Sequence, residues 1–219
     1  MRLSFEEDQQ KKPSLWSSVL GKQSVPKARI SFNDQGLLLA KSFALGFITD
    51  GERIGYQSLD GLRDSRFYGI AVNKLTPFVM RVFSVWKNVE LSSEEFPFEI
   101  PEAYQRLLDT LALGPNAVTE AIVASCDFHL SRAKEDTDND TYEFSNPVYA
   151  IYPVEILFVF RIRQLLGLKN PDVSHPLLMH PLGKRTDAKS PIDPLLLSVS
   201  ERIEKNIFSL KSLFAETSQ

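Results

Sequence analysis

Of 219 residues only one, Cys126, is a cysteine and only three are histidines. A single cysteine excludes an internal disulfide and any zinc motif built on several cysteines. Three histidines leave few ways to build an imidazole-dependent centre. The chain also lacks a phosphate-cradling glycine loop, a G-x-S-x-G elbow and an H-E-x-x-H pair, so no familiar catalytic signature is present. No apolar run reaches the roughly 20 residues that a bilayer span requires. The opening MRLSFEEDQQKK holds acids and no apolar core, which predicts no signal peptide. Cytoplasmic residence is the resulting expectation, with no cofactor and no bound metal.

What is present is an ordinary globular composition, 43% hydrophobic and 24% charged, enough to bury a substantial core. The net charge of −3 hides an uneven distribution. Residues 90–102 hold Glu90, Glu94, Glu95, Glu99 and Glu102, and residues 135–143 hold Glu135, Asp136, Asp138, Asp140 and Glu143, with no lysine or arginine in either segment. These 22 residues carry −10, and the other 197 carry 25 bases against 18 acids, or +7. Concentrated acid without a basic stripe argues against direct nucleic-acid binding and suits a partner with a basic surface.

The densest apolar stretch runs from Asn146 to Gly183. Between Val154 and Leu166 only Glu155, Arg161, Arg163 and Gln164 are polar, and at about 100° per residue they scatter around a helix. A helix from Pro153 to Leu166, buried on most sides, is predicted, with Val154, Leu157, Phe158, Ile162 and Leu165 in the core. Pro153 suits its start, Glu155 and the two arginines oppose its dipole, and Gly167 suits a left-handed closing residue. A buried strand over Ile156–Ile162 is the rival reading.

Residues 1–30 read as a loosely ordered segment and residues 31–219 as one helical domain, with a candidate subdivision near 90–101. A helix capped at Asn33 or Asp34 runs to a stop at Asp50-Gly51, and a second helical region spans Leu59 to Val89, divided at Thr76-Pro77. LSSEEFPFEIP forms a connection. Pro101 opens a helix ended by Gly114-Pro115, and another from Asn116 to Lys134 completes an antiparallel hairpin with Val118, Ile122, Val123, Cys126 and Leu130 inward. Asp193 caps a last helix whose stripe is Leu196, Val199, Ile203, Ile207, Leu210 and Phe214. The fold class is therefore all-α, an irregular multi-helix bundle of antiparallel helical hairpins.

KEDTDNDTYEFSNP reads as an exposed loop. Asp136, Asp138 and Asp140 have the spacing that starts a calcium loop, but Thr141 and Pro147 stand where its glycine and bidentate glutamate belong. His175 and His180 each precede a proline and can cap a short helix. Cys126, His129, His175 and His180 could formally supply four zinc ligands, yet nothing in their spacing requires it. Cys126 reads as a small core residue.

The helix ending in LSRA, the polar excursion after it, then YPVEILFVFRIRQLLGL and SHPLLMHPLG, resembles the C-terminal half of helical immunity proteins from bacterial polymorphic-toxin systems, over about residues 100–200. The resemblance implies a cytoplasmic all-α protein, not an enzyme, that neutralises a cognate toxin or effector by tight binding. The acids Glu135, Asp136, Asp138, Asp140, Glu143, Glu94 and Glu95 are then the candidate partner-binding residues. Two alternatives stand beside it: a small hydrolase-like enzyme with a cleft near His129, His175 and His180, and a helical scaffold or regulator.

Overall fold

A computed structural model of the chain describes residues 30–64, 67–68 and 74–184, with positions 187, 194–195, 197–199, 201–202 and 205. Over these residues the protein is an all-α bundle: α1 (Phe32–Ala44), α2 (Ile48–Arg63), α3 (Leu75–Lys87), α4 (Glu102–Asp109), α5 (Pro115–Ser131), the short α6 (Pro147–Ala150), α7 (Val154–Leu165) and the short α8 (Pro176–Met179), followed by a 3-10 turn at Pro181–Gly183. Ile30–Ser31 and Phe67–Tyr68 add a two-residue parallel pairing. Among the described residues no helix is long and apolar enough to cross a membrane.

α1 and α7 form the centre. α1 packs against α2, α3 and α7, presenting Phe32, Leu39, Ala40 and Phe43 inward. Phe43 stands at the junction, with ring centroids 5.2 Å from Phe158 of α7 and 5.2 Å from Trp86 of α3, the offset and edge contacts that aromatic pairs favour. α7 is buried around most of its circumference, as the scatter of its polar residues implies. Val154 to Val159 are all buried, Glu155 included, and so are Arg161, Ile162 and Arg163. The arginines find carbonyls: Arg161 Nε donates to Phe43 O at 3.2 Å, while Arg163 donates to Leu113 O at 3.0 Å and Lys169 O at 2.8 Å. Gly167 closes α7 with φ +74°, a region open to glycine at little steric cost.

Several boundaries differ from the sequence expectation. α1 is capped by Ser31, whose side chain accepts from the Asp34 N–H at 3.3 Å, rather than by Asn33 or Asp34. It stops at Ala44, because Gly46 takes φ +89° and turns the chain. Asp50-Gly51 lies inside the first turns of α2, where Asp50 complements the helix dipole instead of ending a helix. The region expected as Leu59–Val89 with a division at Thr76-Pro77 is instead divided between Arg63, where α2 ends, and Leu75, where α3 begins. Leu165 is 42% exposed and Leu130 43% exposed, so neither belongs to the core; Leu130 lies just beside the buried arc of α5, and Leu165 lies in the exposed last turn of α7.

The connection over 90–101 is held down by its aromatics. Phe96 is buried, Phe96 and Phe98 meet at 4.8 Å, and Phe98 reaches Phe32 of α1 at 5.1 Å. Residues on both sides of it share one hydrophobic core. Beyond it, Phe78 of α3 stacks on Tyr104 of α4 at 4.2 Å, and α4 packs against α5. The expected loose segment 1–30, apart from Ile30, and most of the last helical stripe lie outside the described residues. At the described positions of that stripe's region the backbone is helical, and Leu195, Leu197 and Val199 are exposed.

Candidate functional site

Three helices converge on a buried polar centre. His129 of α5 and Glu155 of α7 have no exposed surface, and their Nδ1 and Oε1 atoms lie 2.8 Å apart. Tyr104 of α4 donates its hydroxyl to the same carboxylate oxygen at 3.3 Å. Phe144 covers the imidazole, ring on ring at 3.8 Å. Burial works against a charged imidazole here, but the Glu155 carboxylate, through its charge and its hydrogen bond, together with the backbone carbonyls of Ala150 and Tyr149, outweighs it and holds the His129 pKa above the ordinary histidine value. Among the described residues, Glu155 Oε2 has no hydrogen-bond partner.

The surroundings decide what this centre can do. Burial, then the charges of Glu155 and Asp127, push the Cys126 thiol up, and a protonated thiol is not a nucleophile. Burial and Glu155 likewise raise the Tyr104 phenol. The contacts of Tyr104 and His129 with Glu155 tie α4, α5 and α7 together.

The other histidines are in separate settings. His175 Nδ1 accepts the Leu177 N–H at 3.2 Å and caps α8, which leaves Nε2 to donate to Asp127 at 3.2 Å. His180 Nδ1 accepts the Leu182 N–H at 3.2 Å and caps the 3-10 turn. Both histidines before proline are thus capping residues. Among the described residues, no three His, Cys, Asp or Glu side chains gather as metal ligands would.

The acidic loop after α5 is a built structure. Arg132, the residue that ends α5, donates from Nε to Glu143 at 2.7 Å and from Nη2 to Thr141 O at 2.8 Å, and its guanidinium lies over the Tyr142 ring at 4.6 Å. The other Glu143 oxygen accepts the Lys74 N–H at 2.8 Å, at the entrance to α3. With 3% of its side chain exposed, Glu143 faces inward and is not part of the outer surface. Asp136 accepts from the Tyr142 N–H at 2.7 Å and from Ser145 Oγ at 3.3 Å, closing the loop upon itself. Glu135, Asp138 and Asp140 remain exposed, without an ion-pair partner among the described residues.

In the other acidic segment, Glu95 accepts from Ser92 N–H at 3.1 Å and from Arg63 at 3.0 Å, which together hold its carboxyl below the usual range. Glu94 is exposed. A cleft of about 300 Å³ is lined by Lys74, Glu99, Ile100, Pro101, Phe128 and Arg132. Arg132 roots the acidic loop there, and Glu99 comes from the connection. Sequence reasoning missed the organising roles of Lys74, Arg132, Tyr104 and Glu155. For Glu155 the signal existed, since an acid on a helix buried all round requires a buried partner.

No protein-family model, curated protein or solved structure matches this chain.

Proposed function

We propose that this protein is an immunity-type binder, which neutralises a cognate bacterial toxin or effector by direct contact through the acidic loop and the adjoining cleft. One observation supports the reading above others. Asp136, Glu143 and Arg132 hold the loop in a defined shape, while Glu135, Asp138 and Asp140 stay outward and unpaired. Three like charges fixed at a loop tip repel one another and contribute nothing evident to folding. A preorganised acidic surface does favour a basic partner, because little ordering entropy is lost on binding. Glu99, exposed on the neighbouring segment, adds the same sign of charge at the cleft, and Glu94 is exposed on that segment too.

The test is a rescue assay in a bacterial host. A protein recovered with this one in a stoichiometric complex should be toxic when produced alone, and co-production of the present chain should abolish the toxicity. The variant Glu135→Gln, Asp138→Asn, Asp140→Asn should lose most of that protection while staying folded. A partner that harms no cell, or full protection by the variant, overturns the proposal.

A further inference from the structure

A second cavity, of about 290 Å³, opens between the end of α1, the segment around α6 and the 3-10 turn. Its walls are apolar where those three elements meet: Leu45 follows α1, Val148 lies in α6, and Pro181 and Leu182 form the turn. Val148 and Leu182 are large side chains left exposed to solvent. Tyr149 and Tyr152 complete the lining, and the Tyr152 hydroxyl is buried with no hydrogen-bond partner.

Among the described residues the charges on this groove are of one sign: Lys41 and Lys184 line it, no carboxylate does, and neither lysine has an ion-pair partner. Lys41 stands in the last turn of α1, where a cation opposes the helix dipole. That reason does not extend to Lys184, which follows a single 3-10 turn. An apolar trough with two unpaired ammonium groups and a hydroxyl donor has the complement of an amphipathic anion. Small-molecule sites have this composition, mostly apolar walls with a few convergent polar groups.

We infer that this groove binds a small carboxylate on an apolar stem, the tail lying along Leu45, Val148 and Leu182 and the head group held by Lys41 and Lys184. Tyr152 lies within the same walls and would donate its hydroxyl to the carboxylate. The inference is independent of the acidic loop, which belongs to the other cleft, so either reading can fail alone.

Decanoate, below its micellar concentration, is the probe, titrated into the full chain by calorimetry and by amide chemical shifts. Decanol supplies the same tail without charge, and decyltrimethylammonium supplies it with the opposite charge. Saturable 1:1 binding of decanoate is expected, with shifts confined to residues 41–45, 148–152 and 181–184. Decanol should bind about tenfold more weakly or worse, the effect of losing charge-assisted contacts, and the ammonium probe should not compete. Lys41→Gln with Lys184→Gln should weaken decanoate by a similar factor and leave decanol unchanged. Tyr152→Phe, which removes only a hydroxyl, should weaken decanoate several-fold and keeps the test open if the double variant is unstable. Absence of saturable decanoate binding, equal affinity for decanol, or unchanged affinity in both variants overturns the inference.

Discussion

His129 and Glu155 face each other at 2.8 Å with no water-exposed surface on either side chain, and the consequence is a dependence of folding on pH. His129 has a raised folded pKa, against an unfolded value of about 6.5. Its contribution to stability is therefore fully present below about pH 6.5 and is lost as pH rises through the raised folded value. Urea unfolding followed across that window should give a falling midpoint on the alkaline side. Glu155→Gln removes the carboxylate that holds the proton, and breaking a buried pair by one partner costs about 3–5 kcal/mol. In that variant the His129 ring resonances should titrate well below their wild-type midpoint and the pH slope should flatten. An unchanged His129 titration would show that the pair is not the source of the shift.

At the scale of elements, the packing of α2 on α3 depends on how closely the two backbones approach. A Cβ added at Gly55 would meet the Phe83 ring at 2.3 Å, whereas one at Gly114, between α4 and α5, would meet nothing within 4 Å. Phe83 has no exposed surface and is hemmed in by Phe43, Tyr56 and Trp86, so it has little room to yield. Gly55→Ala should destabilise by about 1–3 kcal/mol, as overpacking does. Gly114→Ala, at φ −60°, meets no clash and should change stability by less than about 1 kcal/mol, the restriction of the unfolded chain offsetting glycine's advantage over alanine at a helix N-cap. Thermal melts of the two variants check this, and equal losses would contradict the close approach.

Helices of this kind were legible where local signals agreed. Pro153, Glu155 and Gly167 marked α7 to within a residue, and the two His-Pro pairs announced their own caps. The break between α1 and α2 was missed because apolar residues continue through Phe47 and Ile48, although Gly46 was the available sign. Periodicity gave the buried face but neither its width nor how far the core reaches along the helix, which is why Leu130 and Leu165 were placed inside. Contacts such as Tyr104 with Glu155, 51 residues apart, arise only when helices pack, and no spacing within the chain encodes them.

On the scale of the whole molecule, charge is divided between carboxylates that hold the fold and carboxylates that face outward. Glu143 accepts from Arg132 and from the Lys74 N–H with 3% of its side chain exposed. Glu143→Gln leaves the Arg132 guanidinium, itself only 26% exposed, without its counter-charge. The loss should be about 1–3 kcal/mol, the range for orphaning a buried partner. Neutralising Glu135, Asp138 and Asp140 together breaks no hydrogen bond made by their side chains, so melting should stay within about 0.5 kcal/mol of wild type. The two sets should separate again in kinetics. With a basic partner, the outward set steers encounter and its neutralisation should lower the association rate, most at low salt, because screening over a Debye length of about 10 Å near 0.1 M removes the advantage. Stopped-flow association at low and high ionic strength, set beside calorimetric melts of the same variants, makes both comparisons. Slower association in Glu143→Gln alone, with the triple variant associating as wild type at every salt concentration, would mean that the shape of the loop and not its charge meets the partner.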